Sequence, residues 1–162
     1  MALNAYLTLK GQKQGDIQGS VTQMGRQNSI AVIAVDHQVV SPRDAATGLP
    51  TGKRQHKQLV ITKELDKSSP LLYQALCTNE TITTWELKFW APSPTGQEVQ
   101  NFTVKLTNAS IAAVSFHSPN NKHADLMKYN PYEEVGFTYQ KIEWTWVAGG
   151  ITAVDDWAEP AA

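Results

Sequence analysis

Four histidines and two pairs of adjacent acids are the residues of this sequence that could do chemistry. The histidines are spaced as in no known metal-binding motif, which disfavours a metal site: His37, His56, His117 and His123. The acids Glu133-Glu134 and Asp155-Asp156 are chain neighbours, and on a strand the two members of each pair point to opposite faces. Neither pair can act alone as a catalytic acid and base, and we interpret both as solvated charge.

Nothing else in the sequence points to catalysis. It contains neither a nucleophile elbow nor a glycine-rich phosphate loop, so we expect no enzyme activity, no cofactor and no metal. A single cysteine, Cys77, excludes an internal disulfide and a multi-cysteine zinc site. We expect Cys77 to be a small buried residue, because no sequence neighbour supplies the positive charge that activates a thiol.

Charge and length exclude further classes of protein. The chain has 162 residues with 14 Lys and Arg against 15 Asp and Glu, so it lacks the concentrated basic face that nucleic acids require. The basic run over residues 53–57 is short and has no interleaved aromatic residue. No stretch approaches the roughly 18–20 apolar residues that span a bilayer. We expect one domain over residues 1–162, with no nucleic-acid partner and no membrane insertion.

Alternation of apolar and polar residues dominates the sequence and predicts a mainly β fold. It begins within the first ten residues, where a secretory signal would have a continuous apolar core, so we expect no cleaved signal. The strands predicted from the alternation, with Gly, Pro and Asn turns between them, cover residues 1–10, 30–40, 54–63, 81–90, 99–107, 111–117 and 132–147.

One segment has helical spacing instead. Leu72, Ala75 and Leu76 lie at i, i+3 and i+4 and predict a short helix over about residues 69–77. The serine before Pro70 is a favourable start, since its hydroxyl can accept a hydrogen bond from an early backbone N–H. The predicted fold is therefore a single-domain β-barrel or sandwich of two antiparallel sheets with one short flanking helix.

Two predicted strands carry more apolar surface than a small barrel can enclose. Residues 31–35 are apolar on both faces, which does not suit a strand with one face in water. Within residues 132–147 the apolar positions change parity near Gln140, which indicates either a β-bulge or a second half that packs against a different partner. The surplus favours contact between subunits; coverage by the helix alone is the alternative.

The segment from Ser41 to Lys53 has no periodicity and contains prolines and glycines that argue against a regular element. It is rich in charge and has Leu49 as its one large apolar residue. A polar, extended loop of this kind suits a reversible contact with another copy, and a solvated hairpin tip is an equally consistent interpretation.

Residues 62–75, with the sequence TKELDKSSPLLYQA, closely resemble the strand-to-helix signature of the Hcp family, the haemolysin-coregulated tube subunits of bacterial type VI secretion systems. Residues 137–146 are similar to the late strand of that family, and residues 151–157 to its ending. The opening strand and residues 19–21 are similar as well, so the resemblance covers essentially the whole chain.

The resemblance implies a barrel of two sheets with a flanking helix, six copies of which close into a ring. Rings stack into a tube that a contractile sheath, acting with a baseplate and a spike protein, drives into a target cell. Small effector proteins are held in the lumen of the ring. The implied location is the bacterial cytoplasm, followed by release to the extracellular space or the target cell.

The resemblance also implies roles for particular residues. Those expected to face another subunit or the lumen lie in the two apolar strands: Ala31, Ile33, Val35, Ile142, Trp144 and Trp146. Those expected to mediate ring stacking lie in an extended loop over about residues 41–54: Pro42, Arg43, Asp44, Lys53 and Arg54.

Alternatives to the tube subunit come from other classes of protein. One is a carrier ring, in which binding and protection of effectors matters more than the tube. Another is an enzymatic effector with a toxin domain after the tube domain, which we disfavour because the sequence ends shortly after Trp157. A third is a viral-tail tube protein, which shares the architecture.

Overall fold

The computed structural model describes residues 3–157, so the first two residues of the predicted opening strand lie outside the described part. The strands, numbered in chain order, are β1 Asn4–Gly11, β2 Gly15–Ile17, β3 Ile30–Val32, β4 Ala34–Asp36, β5 Val39–Val40, β6 Gln55–His56, β7 Leu59–Glu64, β8 Thr81–Pro92, β9 Glu98–Thr107, β10 Ala109–His117, β11 Tyr132–Thr138, β12 Lys141–Trp146 and β13 Ile151–Asp156. The helix α1 spans Ser69–Cys77, the bounds that its apolar spacing predicts. The mainly β architecture with one helix is confirmed.

Pairing between the described strands is antiparallel and closes a circuit. From β8 it runs through β10, β11 and β7 to β4 on one side, and through β1 to β3 on the other. Between β3 and β4 lies Ile33, whose backbone N–H donates to the Thr62 carbonyl of β7 at 2.7 Å. The two arms therefore meet at Ile33, and the eleven-stranded sheet curls into a barrel.

Strands β9, β12 and β13 extend this sheet beyond the barrel, and β5 with β6 forms a separate two-stranded sheet. Asn108, with φ of 51°, makes the bend between β9 and β10, a backbone conformation that asparagine tolerates better than most residues. The predicted strand over residues 30–40 is in fact three short strands, because the chain leaves one partner at Ile33 and another at His37.

The parity change near Gln140 marks a change of partner strands rather than a bulge. β11 ends at Thr138 and pairs with β10 and β7, whereas β12 begins at Lys141 and pairs with β9 and β13. Of the two interpretations left open by the sequence, the second is the one that the structure has.

The barrel interior is apolar and centred on two aromatic rings. Trp85 of β8 and Phe137 of β11 are both fully buried and meet edge to face, with ring centroids 5.4 Å apart. Leu7, Ile61 and Leu87 belong to the same buried cluster and have no exposed surface. Burial of each such side chain contributes on the order of 1.5–3 kcal/mol, so this interior holds the strands that present the surfaces described below.

The helix corrects two expectations. Its cap residue is Ser68, which makes no side-chain capping bond, and the Ser69 hydroxyl donates to Glu133 Oε1 at 2.9 Å instead of accepting an early helix N–H. Cys77 is exposed, not buried. The buried face of α1 contains Leu72 and Ala75, and Cys77 lies about 200° around the helix from Ala75, which places it on the opposite side.

The interpretation of Glu133 as solvated charge is wrong. Its carboxylate lies 2.7 Å from the Lys63 ammonium, and neither side chain has exposed surface. The same ammonium lies 3.1 Å from Asp66 Oδ1 and 3.1 Å from Ser69 Oγ, which links β7, β11 and the start of α1. A buried charge is tolerated only when it is paired and hydrogen-bonded in this way.

Candidate assembly interface

The charged loop is a narrow hairpin, which we call the finger and define as residues 41–53. Its base is the β5–β6 pair, in which Val39 is opposite His56. Further out, Arg43 and Pro50 form an isolated antiparallel bridge, and Thr51 N–H donates to the Pro42 carbonyl at 3.0 Å. The expectation of a segment without regular pairing is therefore wrong for the arms of the finger and holds for its tip.

Asp44 folds the tip of the finger. Its carboxylate accepts hydrogen bonds from Thr47 Oγ1 at 2.8 Å and from the Ala46 backbone N–H at 3.2 Å. These bonds, that from Thr47 first, hold the pKa of Asp44 below its usual value. Gly48 follows with φ of 74°, a conformation that glycine adopts without strain. Asp44 therefore shapes the tip, and the exposed side chains next to it are available for contact.

The five predicted stacking residues are held in different ways, Asp44 through the contacts at the tip just described. Arg43 and Lys53 are exposed on the arms of the finger, and Leu49 near the tip is 63% exposed. Pro42 is half-buried. Arg54, in contrast, is bound to the body: its Nε donates to Asp155 Oδ2 at 2.7 Å and its Nη2 donates to the Asp156 carbonyl at 3.0 Å.

Around Arg54 lies a chain of polar contacts that we call the finger-base network; its members are Arg54, Asp155, His56, Tyr139 and His37. His56 Nε2 lies 2.6 Å from the same Asp155 oxygen. The Tyr139 hydroxyl lies 2.6 Å from His56 Nδ1 and 2.8 Å from His37 Nε2. Asp155 is thus part of a network, and its interpretation as plain solvated charge is wrong.

The surroundings of the network shift the pKa values of four of its ionisable groups. The hydrogen bond from Arg54 is the main reason that the pKa of Asp155 is held low, and it raises the pKa of Arg54 in turn. Burial, followed by the charge of Asp155, raises the pKa of Tyr139, so its phenol stays protonated. Burial, followed by the nearby His56, lowers the pKa of His37.

The network also anchors the last described strand. The Trp157 indole N–H donates to the Tyr139 carbonyl at 2.5 Å, and its ring lies 5.6 Å from the His56 ring. Arg54 and Asp155 are far apart in sequence, and local pattern does not reveal which distant residues pair. The signal that the sequence did contain was the cluster of basic and imidazole side chains at residues 53–57.

The apolar candidate residues separate into two faces and the core. Val35, Trp144 and Trp146 line one groove of about 360 Å³, together with Phe89 and Phe102. Trp146 is 44% exposed there. Ile142, two positions before Trp144 in the same strand, has no exposed surface and belongs to the core, so its assignment to an interface is wrong.

Ile33 lies on the other face, in a second groove of about 820 Å³. Its side chain is 60% exposed, and Ala31 beside it is exposed as well. Phe116 and Tyr129 line the same groove and are 53% and 56% exposed. Sequence reasoning missed both, although Phe116 stands out as a large apolar residue at an outward position of β10.

The outer edge of β13 is a further surface. This strand ends the pairing order of the large sheet, so one side of its backbone has no partner strand among residues 3–157. Ile151 and Val154 on it are 68% and 51% exposed. Exposed strand edges of this kind pair readily with other chains unless they are covered.

Two further features of the described residues concern metal ions and membranes. Among residues 3–157, no group of three or more His, Cys, Asp or Glu side chains could hold a metal ion. In the same part of the chain, no helix has the length and apolar character needed to cross a membrane.

Comparisons with known proteins agree with this architecture. A family model described as "Type VI secretion system effector, Hcp" matches residues 6–146. The "Major exported protein" of Pseudomonas aeruginosa is 36% identical over 171 residues, covering 100% of this chain and 99% of the relative. A solved Hcp protein has a TM-score of 0.90 at 30% identity, covering 98% of this chain and 100% of the other. The Hcp1 protein of E. coli EAEC 042 has a TM-score of 0.84 at 38% identity, covering 96% and 99% of the two chains.

Family match, full-length relative and shared fold lead to one conclusion: this chain belongs to the Hcp family of the type VI secretion system.

Proposed function

We propose that this protein is the structural subunit of the inner tube of a type VI secretion system. Six copies close into a ring, rings stack into a tube, and a contractile sheath expels the tube together with the subunit itself. The observation that carries the proposal is the pair of exposed apolar grooves on different faces of the barrel, one at Ile33 and one at Trp146.

A closed ring requires two different contact faces on each subunit. In a cyclic assembly one patch of each subunit meets a different patch on the next, and the rotation must close. The groove at Ile33 and Phe116 supplies one candidate patch, and the groove at Trp144 and Trp146 with the edge of β13 supplies a second. Burial of such aromatic and aliphatic side chains stabilises subunit contacts in the same way that it stabilises a core.

The finger is proposed to mediate contact between stacked rings. It extends beyond the sheet on a two-residue base and presents Arg43 and Lys53 to solvent. Contacts between exposed charges are weak and sensitive to salt, which suits a tube that must come apart after it is fired. Pro42 and Asp44 would shape the finger, and Arg54 would fix its base.

The remaining partners follow from the same role. The spike protein, the sheath and the baseplate would contact the tube during assembly, and residues 1–162 would act as one tube domain. The protein would be made in the bacterial cytoplasm and released without a cleaved signal to the extracellular space or the target cell, in keeping with the exported relative.

A carrier ring for small effector proteins is a second candidate, and the size of the open groove at Ile33 favours it. If that groove holds an effector and takes no part in subunit contacts, the effector will bind to assembled rings without dissociating them. If it is a subunit contact, an effector that binds there will compete with ring formation.

Native mass spectrometry and negative-stain microscopy of the purified protein test the proposal. We expect six-fold rings from the unchanged protein and loss of rings from Ile33→Asp, which places a charge in the apolar contact. Met24→Asp is the matched control, because Met24 is 89% exposed and lies outside both grooves, so rings should persist. A clean monomer of the unchanged protein would overturn the proposal.

A further inference from the structure

The two arms of the finger are joined to each other through few backbone contacts, in a sheet separate from the barrel. β5 and β6 contribute two residue pairs, and Lys57 N–H donates to the Gln38 carbonyl at 3.0 Å just below them. Beyond that base, the side chains of Arg54 and His56 connect the finger to Asp155 of β13. The orientation of the finger therefore depends strongly on the finger-base network.

We propose that the finger-base network is a proton-operated latch, closed while at least one of its two histidines is neutral and opened when both are protonated. The latch itself requires nothing beyond the geometry of the network. Its consequence for tube assembly rests on the proposed role of the finger in ring stacking.

The closed state can be followed proton by proton. Arg54 keeps Asp155 as a carboxylate, which accepts a hydrogen bond from His56 Nε2–H. In a neutral His56 this leaves a lone pair on Nδ1, to which the Tyr139 hydroxyl donates. The Tyr139 oxygen then accepts from His37 Nε2–H. Each of these polar atoms has a partner.

One added proton is accommodated by reversing two bonds. If His56 becomes an imidazolium, its Nδ1–H donates to the Tyr139 oxygen, and the hydroxyl turns to the Nε2 lone pair of a neutral His37, which now carries its one proton on Nδ1. The network remains fully paired, so a single protonation leaves the latch closed.

A second proton cannot be accommodated. With both histidines charged, two N–H groups point at the one oxygen of Tyr139, and its hydroxyl proton loses both of its acceptors. Two cations then contact the same phenol in a partly buried site, where their repulsion is poorly screened. Separation of the finger base from Tyr139 relieves both penalties.

The charged and titratable groups at the two histidines are Asp36 of β4 beside His37, Tyr139 between β11 and β12 in contact with both, and Asp155 of β13 in contact with His56. Arg54 and Lys57 flank β6; Arg54 binds Asp155 and the Asp156 carbonyl, and the Lys57 ammonium lies 3.5 Å from Gln55 Oε1. Asp36 favours a charged His37, but burial and His56 outweigh it and lower the pKa of His37. The closed state thus binds fewer protons than the open state below about pH 6.5, the ordinary histidine value. Acidification from that point weakens the latch, and a rise in pH restores it.

Amide hydrogen exchange of unstacked protein between pH 8 and pH 5 tests the latch directly. After correction for intrinsic exchange rates, protection at residues 39–40 and 55–56 should fall about tenfold on acidification, the scale of one lost charge-assisted hydrogen bond. Protection in β7 and β11 should stay constant. Unchanged protection at the finger base would overturn the latch.

Variants sharpen this test. His37→Gln keeps an N–H donor toward Tyr139 but takes up no proton, so the finger base should stay protected across the range. His123→Gln, at an exposed histidine outside the network, is the matched control and should behave as the unchanged protein. Tyr139→Phe should leave the base poorly protected at every pH. A His37→Gln protein that loses protection on acidification like the unchanged protein would also overturn the latch.

Tube length measured by microscopy over the same pH range separates the two proposals. Shortening of tubes in step with loss of protection supports both. Tubes that keep their length while the finger base loses protection contradict the stacking role of the finger and leave the latch intact, because exchange was measured without stacking.

Discussion

Lys63 and Glu133 lie 2.7 Å apart with no exposed surface, and they join β7 to β11 inside the barrel. Both follow the inward parity of their strands: Lys63 is in phase with Ile61, and Glu133 is in phase with Val135. The pair therefore occupies two positions where an apolar residue would be expected, next to the start of the helix.

Removal of one partner should destabilise the protein strongly. Lys63→Met leaves the Glu133 carboxylate buried without its cation, which costs about 3–5 kcal/mol of unfolding free energy. Urea unfolding of the purified protein, followed by tryptophan fluorescence, measures the change.

The double variant Lys63→Met with Glu133→Leu is the control for this pair. Because neither of the two fully buried charges remains and Asp66 keeps its hydrogen bonds from Ser68, it should recover most of the loss. A double variant as unstable as Lys63→Met alone would show that the pair contributes through geometry that apolar side chains cannot replace.

Arg43→Ala and Lys53→Ala should shorten tubes while rings persist. Both side chains are exposed on the finger and outside the core, so the fold should change in stability by less than about 0.5 kcal/mol. Microscopy gives tube length, and native mass spectrometry gives the ring.

Lys13→Ala is the control for loss of one positive charge, since Lys13 is also exposed but lies outside the finger. Tubes of this variant should keep their length. Loss of the ring in Arg43→Ala or Lys53→Ala would show that the finger contacts neighbours within a ring rather than between rings.

Acid should weaken the anchorage of β13 through Asp155. The pKa of this carboxyl is lowered in the folded protein, so its stabilising effect is present above about pH 3.9, the ordinary value, and is lost as the pH falls through the folded value. Melting temperatures measured between pH 6 and pH 2 should therefore fall more steeply for the unchanged protein than for Asp155→Asn. Parallel curves would contradict the assignment.

Cys77 should react with a thiol reagent in the native protein, because its side chain is exposed at the end of α1. The rate should be close to that of the unfolded chain, and Cys77→Ser should alter stability by less than about 0.5 kcal/mol. Labelling that requires denaturant would mean that the residue is covered in the purified assembly.

Local periodicity predicted the local structure well. Most strand positions followed from the alternation of apolar and polar residues, and the helix bounds followed from apolar residues at i, i+3 and i+4. Both patterns arise because one face of each element is buried. The same reasoning interpreted Glu133 as solvated charge, because a charged residue at an inward position contradicts the pattern unless its distant partner, here Lys63, is known.

The finger-base network shows the same limit. Arg54 and Asp155 pair across 101 positions of sequence, and no local pattern records which distant strand lies beside the loop. The division of the apolar candidates is not recorded locally either, because Ile142 in the core and Trp146 outside it lie in the same strand, β12, with the same parity and the same partner strands.

The backbone and the side chain of Ile33 serve different contacts. Its backbone N–H makes the bond to Thr62 that brings the two arms of the sheet together, while its side chain points outward. A neighbouring subunit that packs on this side chain would cover the contact that closes the barrel. In the proposed ring, each barrel would therefore be harder to open at this contact than in a single molecule.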